Sequence, residues 1–173
     1  MDYLRQFVIP FKGLKPGEYQ YDFEIEDLFF ESFEYSELKK GEIHVQMTMV
    51  KEETMLVLRF SLQGTITVPC DRCLESVSIP VEGDEELIIK FGADFHEESE
   101  SIQVIPEGET QVDVSTFIYE YIHLLVPVRK IHPEDEEGNG SCDPEILKRL
   151  DTITPASEPD PRWEALKNLT TKN

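Results

Sequence analysis

Cys70 and Cys73, in the run Val68-Pro69-Cys70-Asp71-Arg72-Cys73-Leu74-Glu75, are the residues of this chain best suited to chemistry. Two thiols at this spacing can exchange a disulfide or hold a soft metal ion. The flanks weigh on the choice. A redox pair needs its first cysteine at a helix N-terminus, where the helix dipole favours the thiolate. Here Leu74 to Val81 reads as strand, which argues against redox exchange. A zinc knuckle, by contrast, sits on a hairpin tip and asks for two further Cys or His ligands. His132 and Cys142 supply acceptable types, giving a candidate set of Cys70, Cys73, His132 and Cys142 and zinc as the candidate cofactor. Two other readings stay open: buried thiols acting as small apolar side chains, and a Cys73–His123 pair. His123 lies within an apolar helical pattern and reads as core.

These residues need a scaffold, and the hydrophobic pattern supplies one. Tyr19, Tyr21, Phe23 and Ile25 alternate with polar residues, as do Ile43, Val45, Met47 and Met49. Leu56, Leu58, Phe60, Leu62, Ile66 and Val68 continue the pattern, followed by Val77, Ile79 and Val81 and the apolar run Leu87–Phe91. A period of two marks half-buried strands, so residues 64–91 read as one long hairpin with the cysteines at its tip. Phe29, Phe30 and Phe33 suggest a helical turn or bend. Residues 92–109, rich in Gly, Pro, Ser and acids, read as a loop.

From Val114 to Leu125 the spacing becomes helical, with Asp113 or Ser115 as the cap and Pro127 as the stop. Asp143-Pro144-Glu145 opens a short helix through Leu150, and Asp160-Pro161 another through Leu169. The fold class is α+β: a twisted antiparallel sheet, one packed helix and a short helical tail. Residues 1–150 form one domain, and 151–173 a linker with a closing helix on which Trp163 reads as an anchor.

Charge narrows the partners. The chain has 36 Asp and Glu against 16 Lys and Arg, a formal charge of -20. Such a surface repels phosphate backbones, so direct nucleic-acid binding is not expected and a basic protein is the better partner. Glu82, Asp84, Glu85 and Glu86, in the acidic middle region of the chain, form with Trp163 the candidate partner-binding set. The apolar run near Tyr121–Val128 is far short of the about 18 residues of a membrane span. The start carries no signal-peptide pattern, and three cysteines suit a reducing compartment, so the cytoplasm is expected. There is no phosphate loop, dinucleotide glycine pattern or HExxH motif.

With these segments placed, the chain resembles the YceD family, the large-subunit ribosomal RNA accumulation proteins of bacteria and plastids. Three stretches carry the likeness: the Val68–Glu75 cysteine turn; Val112-Asp113-Val114 through Glu120 to Leu124-Leu125-Val126-Pro127; and Asp160-Pro161-Arg162-Trp163 with Leu166 and Leu169. Together they span roughly residues 60–170, and Phe11 to Gly17 fits more loosely. The chain departs from many members in keeping Cys142 as the single cysteine after Pro127. The resemblance implies a non-enzymatic factor in large-subunit ribosomal RNA accumulation or ribosome assembly. Its expected partner is a basic ribosomal protein or a large-subunit precursor. The competing classes are a small thiol- or metal-dependent enzyme using Cys70 and Cys73, and an acidic interaction module unrelated to ribosomes.

Overall fold

The computed structural model describes residues 3–133 and 140–153. A 3-10 turn (Tyr3–Phe7) leads into β1 (Val8–Pro10), β2 (Gly17–Ile25), the short helix α1 (Asp27–Glu31), β3 (Lys40–Lys51), β4 (Met55–Pro69) and β5 (Ser76–Gly92). Then come β6 (His96–Ser99), β7 (Ile102–Pro106), β8 (Gln111–Asp113), α2 (Ser115–Leu124) and α3 (Pro144–Ile153). The main sheet has six strands in the order β2-β3-β4-β5-β7-β6, and β1 pairs with β8 in a separate two-stranded ribbon.

The alternating residues do what their period requires. Ile43, Val45, Met47 and Met49 of β3 face the same side as Leu56, Leu58, Phe60 and Leu62 of β4, and all are buried. Strands β4 and β5 pair from Met55↔Lys90 to Pro69↔Ser76, so the long hairpin ends at the cysteine turn. On this inner face lies the aromatic chain Phe7, Phe29, Phe33 and Tyr119, with ring centroids 5.0, 5.2 and 4.2 Å apart in succession. The stack ties α1 to α2 across the sheet.

Helix α2 is packed by Val114, Ile118, Tyr121 and Ile122, all buried. The cap expected at Asp113 or Ser115 is not formed: Val114 holds the N-cap position without a side-chain cap, and Asp113 Oδ1 accepts the Ser115 N–H at 2.9 Å in the turn that leads in. The helix stops at Leu124, just short of the Val114–Leu125 pattern, and Pro127 disfavours helical geometry at the residue before it. Close packing at its end depends on Gly83: a Cβ there would collide with Leu125 Cδ2. Gly64 meets the same demand on β4, where a Cβ would strike the Glu42 carbonyl.

Three features differ from the sequence pattern. The expected loop at 92–109 contains β6 and β7, and β7 joins β5 in parallel, so the sheet is mixed although mostly antiparallel. Strand β6 is exposed along its length, and β7 is short and closed by Pro106, so neither shows a run of alternation. Lys39-Lys40-Gly41 reads as a turn signal in the sequence, yet Lys40 and Gly41 begin β3. The β1–β8 ribbon is three residues long on each side, too short to leave a period. The closing helix expected near Trp163 lies outside the described residues.

Candidate metal centre

The β4–β5 hairpin leaves its last pair, Pro69↔Ser76, with six residues to turn, and both cysteines point inward. Cys70 and Cys73 are fully or nearly fully buried. The turn closes on itself: the Leu74 N–H donates to the Cys70 carbonyl at 2.9 Å, and the Cys70 N–H to the Glu75 carbonyl at 2.8 Å. Leu74 takes φ 64, a left-handed conformation that costs a side-chain-bearing residue about 1–2 kcal/mol. Its side chain plays no packing role, since it is 78% exposed.

Asp71 fastens a second segment to this turn. Its N–H donates to the Lys130 carbonyl at 2.6 Å, and its Oδ2 accepts the Lys130 N–H at 2.7 Å. Two residues on, His132 is delivered to the cysteines. The third segment is the start of α3. There Asp143 Oδ1 accepts the Glu145 N–H at 2.7 Å and the Asp143 carbonyl accepts the Leu147 N–H at 3.1 Å. Cys142 enters just before this helix start and is buried.

The four ligand atoms lie within 4.8 Å of one another. Cys70 Sγ is 3.7 Å from Cys142 Sγ, and His132 Nδ1 is 3.5 Å from Cys73 Sγ and 3.6 Å from Cys142 Sγ. These separations fit the group to be held. Tetrahedral zinc, with bonds of roughly 2.3 Å to sulfur and 2.05 Å to nitrogen, sets sulfur–sulfur edges of about 3.8 Å and sulfur–nitrogen edges of about 3.5 Å.

The histidine is also in the right tautomer. Its Nε2 lies 3.3 Å from the Ser76 carbonyl, which can only accept, so Nε2 carries the proton. Nδ1 is then left with its lone pair toward the sulfurs, the arrangement a ligating histidine takes when its other nitrogen is held by a carbonyl.

Electrostatics point the same way. Burial raises the Cys70 thiol, yet hydrogen bonds from the Cys73, Arg72 and His132 backbone N–H groups outweigh it and bring the thiol down to about 6. One of these is the Arg72 N–H at 3.4 Å from the sulfur. Cys142 is pushed up to about 11, by burial first and then by Cys70 and Cys73. One thiolate therefore forms readily while a second beside it is costly. A divalent cation between them removes that cost.

The sequence-derived ligand set is thus brought together. The acidic set is not. Glu82, Asp84 and Glu86 project from the outer face of β5 and are exposed, whereas Glu85 occupies the inner face, half-buried beside Tyr121. The outer face continues across the registers Gln63↔Glu82, Ser61↔Asp84 and Arg59↔Glu86. On β2, Asp22 and Glu24 both bracket His44 of β3, at 3.4 and 2.8 Å, and Arg59 is paired with Glu86 at 2.9 Å. Arg59 of this face is thus already paired, while Glu82 and Asp84 stay exposed. His123 is half-buried on α2, as its helical setting implied. Trp163 lies outside the described residues. What the sequence pattern does not mark is Asp71; its only signal is a carboxylate inside the cysteine turn.

No helix among the described residues is long and apolar enough to cross a membrane. No curated protein and no solved structure matches the chain. A family model does, described as large ribosomal RNA subunit accumulation protein YceD, over residues 58–170. That stretch begins in β4 and takes in the cysteine turn, α2 and all four ligands of the cluster. With well over half of its length inside that match, the chain belongs to the YceD family.

Proposed function

We propose that this protein is a non-enzymatic factor supporting large-subunit ribosomal RNA accumulation, and that it works by presenting an acidic surface to a basic protein of the large-subunit precursor. The family assignment supplies the pathway. The observation that carries the mode of action is the outer face of the sheet, where Glu82, Asp84 and Glu86 stand exposed in one row. A field of this sign steers a lysine-rich partner and repels bare phosphate. Glu85, on the other face, is assigned no contact.

In the same reading, Cys70, Cys73, His132 and Cys142 hold zinc as a structural staple, within a domain of residues 1–150 followed by a tail at 151–173. Three thiolates and an imidazole fill a four-ligand shell, and catalytic zinc keeps a position open for water or substrate. The protein's own side chains then have one task at this site: fixing the cysteine turn, the segment after α2 and the start of α3 to one another. The expected compartment is the cytoplasm.

The test is capture of the tagged protein from native lysate at low salt, with and without nuclease. Large-subunit proteins retained after nuclease support the reading. Replacing Glu82, Asp84 and Glu86 with Lys should then weaken that retention, and unchanged retention at low salt would sink the acidic-surface mechanism.

A further inference from the structure

On the inner side of the sheet, a groove of about 550 Å³ runs between α2 and the strands β5, β7 and β6. Leu87, Ile102, Phe117 and Tyr121 line it with apolar surface, and Glu97, Glu100 and Glu120 add carboxylates. A neighbouring section of about 450 Å³ shares Glu97, Gln103, Phe117 and Glu120 and adds Glu109 and Asp113. No Lys or Arg among the described residues lines either section. Among the described residues, Glu97, Glu100 and Glu120 have no ion-pair partner. Leu124, 71% exposed, lines the first section, and Phe95, 61% exposed, the second.

The polar atoms of this wall share one property. The Tyr121 hydroxyl and His123 Nε2 are buried and have no hydrogen-bond partner among the described residues. His123 Nδ1 lies 2.8 Å from the Tyr119 carbonyl and so donates to it, leaving Nε2 as an acceptor. A buried polar group left unpaired costs about 1–3 kcal/mol. The groove is therefore apolar surface surrounded by groups that accept and lacking basic side chains that donate. Both unpaired atoms are closed to water in the free chain, so a ligand reaches them only if the lining side chains part.

We infer that this groove seats an amphipathic, lysine- or arginine-bearing segment of the partner protein, its apolar side chains against Phe117, Leu87 and Leu124 and its cations against Glu97, Glu100 and Glu120. The inference rests on the reading that the partner is basic, and it divides the labour between two faces. Outer-face charges speed encounter, while the groove, where apolar surface is desolvated, slows release.

The probe is a short synthetic peptide with Leu and Lys segregated to opposite helical faces, compared with a peptide of equal charge in which Ser replaces Leu. The first should bind about tenfold more tightly than the second. In the wild-type chain it should shift the amide resonances of residues 97–103 and 117–124. Leu124→Asp, at an exposed position, and the pair Glu97→Lys with Glu120→Lys should each raise the dissociation rate about tenfold, while Lys at 82, 84 and 86 slows association and leaves dissociation unchanged. Equal affinity for the two peptides, or shifts confined to residues 82–86, overturns the groove and leaves the outer-face mechanism standing. Failure of both peptides to bind overturns the basic-partner reading itself, and the groove with it.

Discussion

The β4–β5 hairpin carries two regions of opposite design. At its tip, Cys70 and Cys73 are sealed from water and committed to His132 and Cys142. Midway along, Glu82, Asp84 and Glu86 stand in solvent on one face, while Gly83 on the other lets Leu125 rest on the backbone. The tip joins parts of the chain and offers little to a visitor. The middle is stiffened by its neighbours and offers charge. The contrast teaches that one hairpin can bury its most reactive side chains where three segments meet and expose its ordinary charges along a face.

The contrast breaks first if the tip is not structural. Stripping metal with a chelator, or replacing Cys70 and Cys73 with Ser, should lower stability by on the order of 3 kcal/mol, roughly 10 °C in melting temperature, with one zinc per chain found by elemental analysis beforehand. Acid should do the same, because metal binding needs deprotonated thiols and competes with protons as pH falls. A metal-free chain of unchanged melting temperature would return the cluster to three buried thiols.

A smaller effect sharpens the role of the turn. Asp71→Ala removes the acceptor of the Lys130 N–H and should cut zinc affinity about 10–100-fold while the sheet stays folded, as competition with a chromophoric chelator would report.

The inner face of the hairpin's middle predicts an alkaline signature. Burial, then the charges of Glu85 and Glu120, push the Tyr121 hydroxyl up to about 12. An unfolded tyrosine ionises near pH 10, so stability from this group is fully present below about pH 10 and lost as pH rises through 12. Tyr121→Phe should flatten that decline in denaturant melts at high pH and hold stability at neutral pH. The least change in stability is expected on the outer face. Lys at positions 82, 84 and 86 should move the melting temperature by only the equivalent of about 0.5 kcal/mol, since these carboxylates are solvated.

Much of this architecture is legible in the amino-acid sequence. Strands β2 to β5 are plain there because each buries one face and exposes the other over nine or more residues, from Tyr19–Ile25 to Val77–Ile89. The candidate ligand set is legible because zinc accepts few side-chain types and His132 and Cys142 follow α2. Position on a face is harder. Glu85 stands within one acidic run with Glu82, Asp84 and Glu86, and only the strand's period separates it from them. Strands β6 and β7 and the ribbon β1–β8 leave no trace, because three to five residues are too few for a period to emerge. Asp71 is invisible as a clamp because its partner is backbone, which no side-chain pattern reveals.

The β1–β8 ribbon sets an order of events. Val8 pairs with Asp113, and the Phe7 carbonyl accepts the Val114 N–H at 3.0 Å. The first strand thus meets a partner synthesised about a hundred residues later. The β2-to-β5 meander is joined by local connections and can assemble as it emerges, whereas closing the ribbon requires a long loop and comes later. Until then Phe7, Ile9 and Phe11, all buried in the finished fold, lie open on the growing chain. Aggregation and chaperone capture should therefore concentrate at the N-terminal dozen residues, and their release should mark closure of the ribbon.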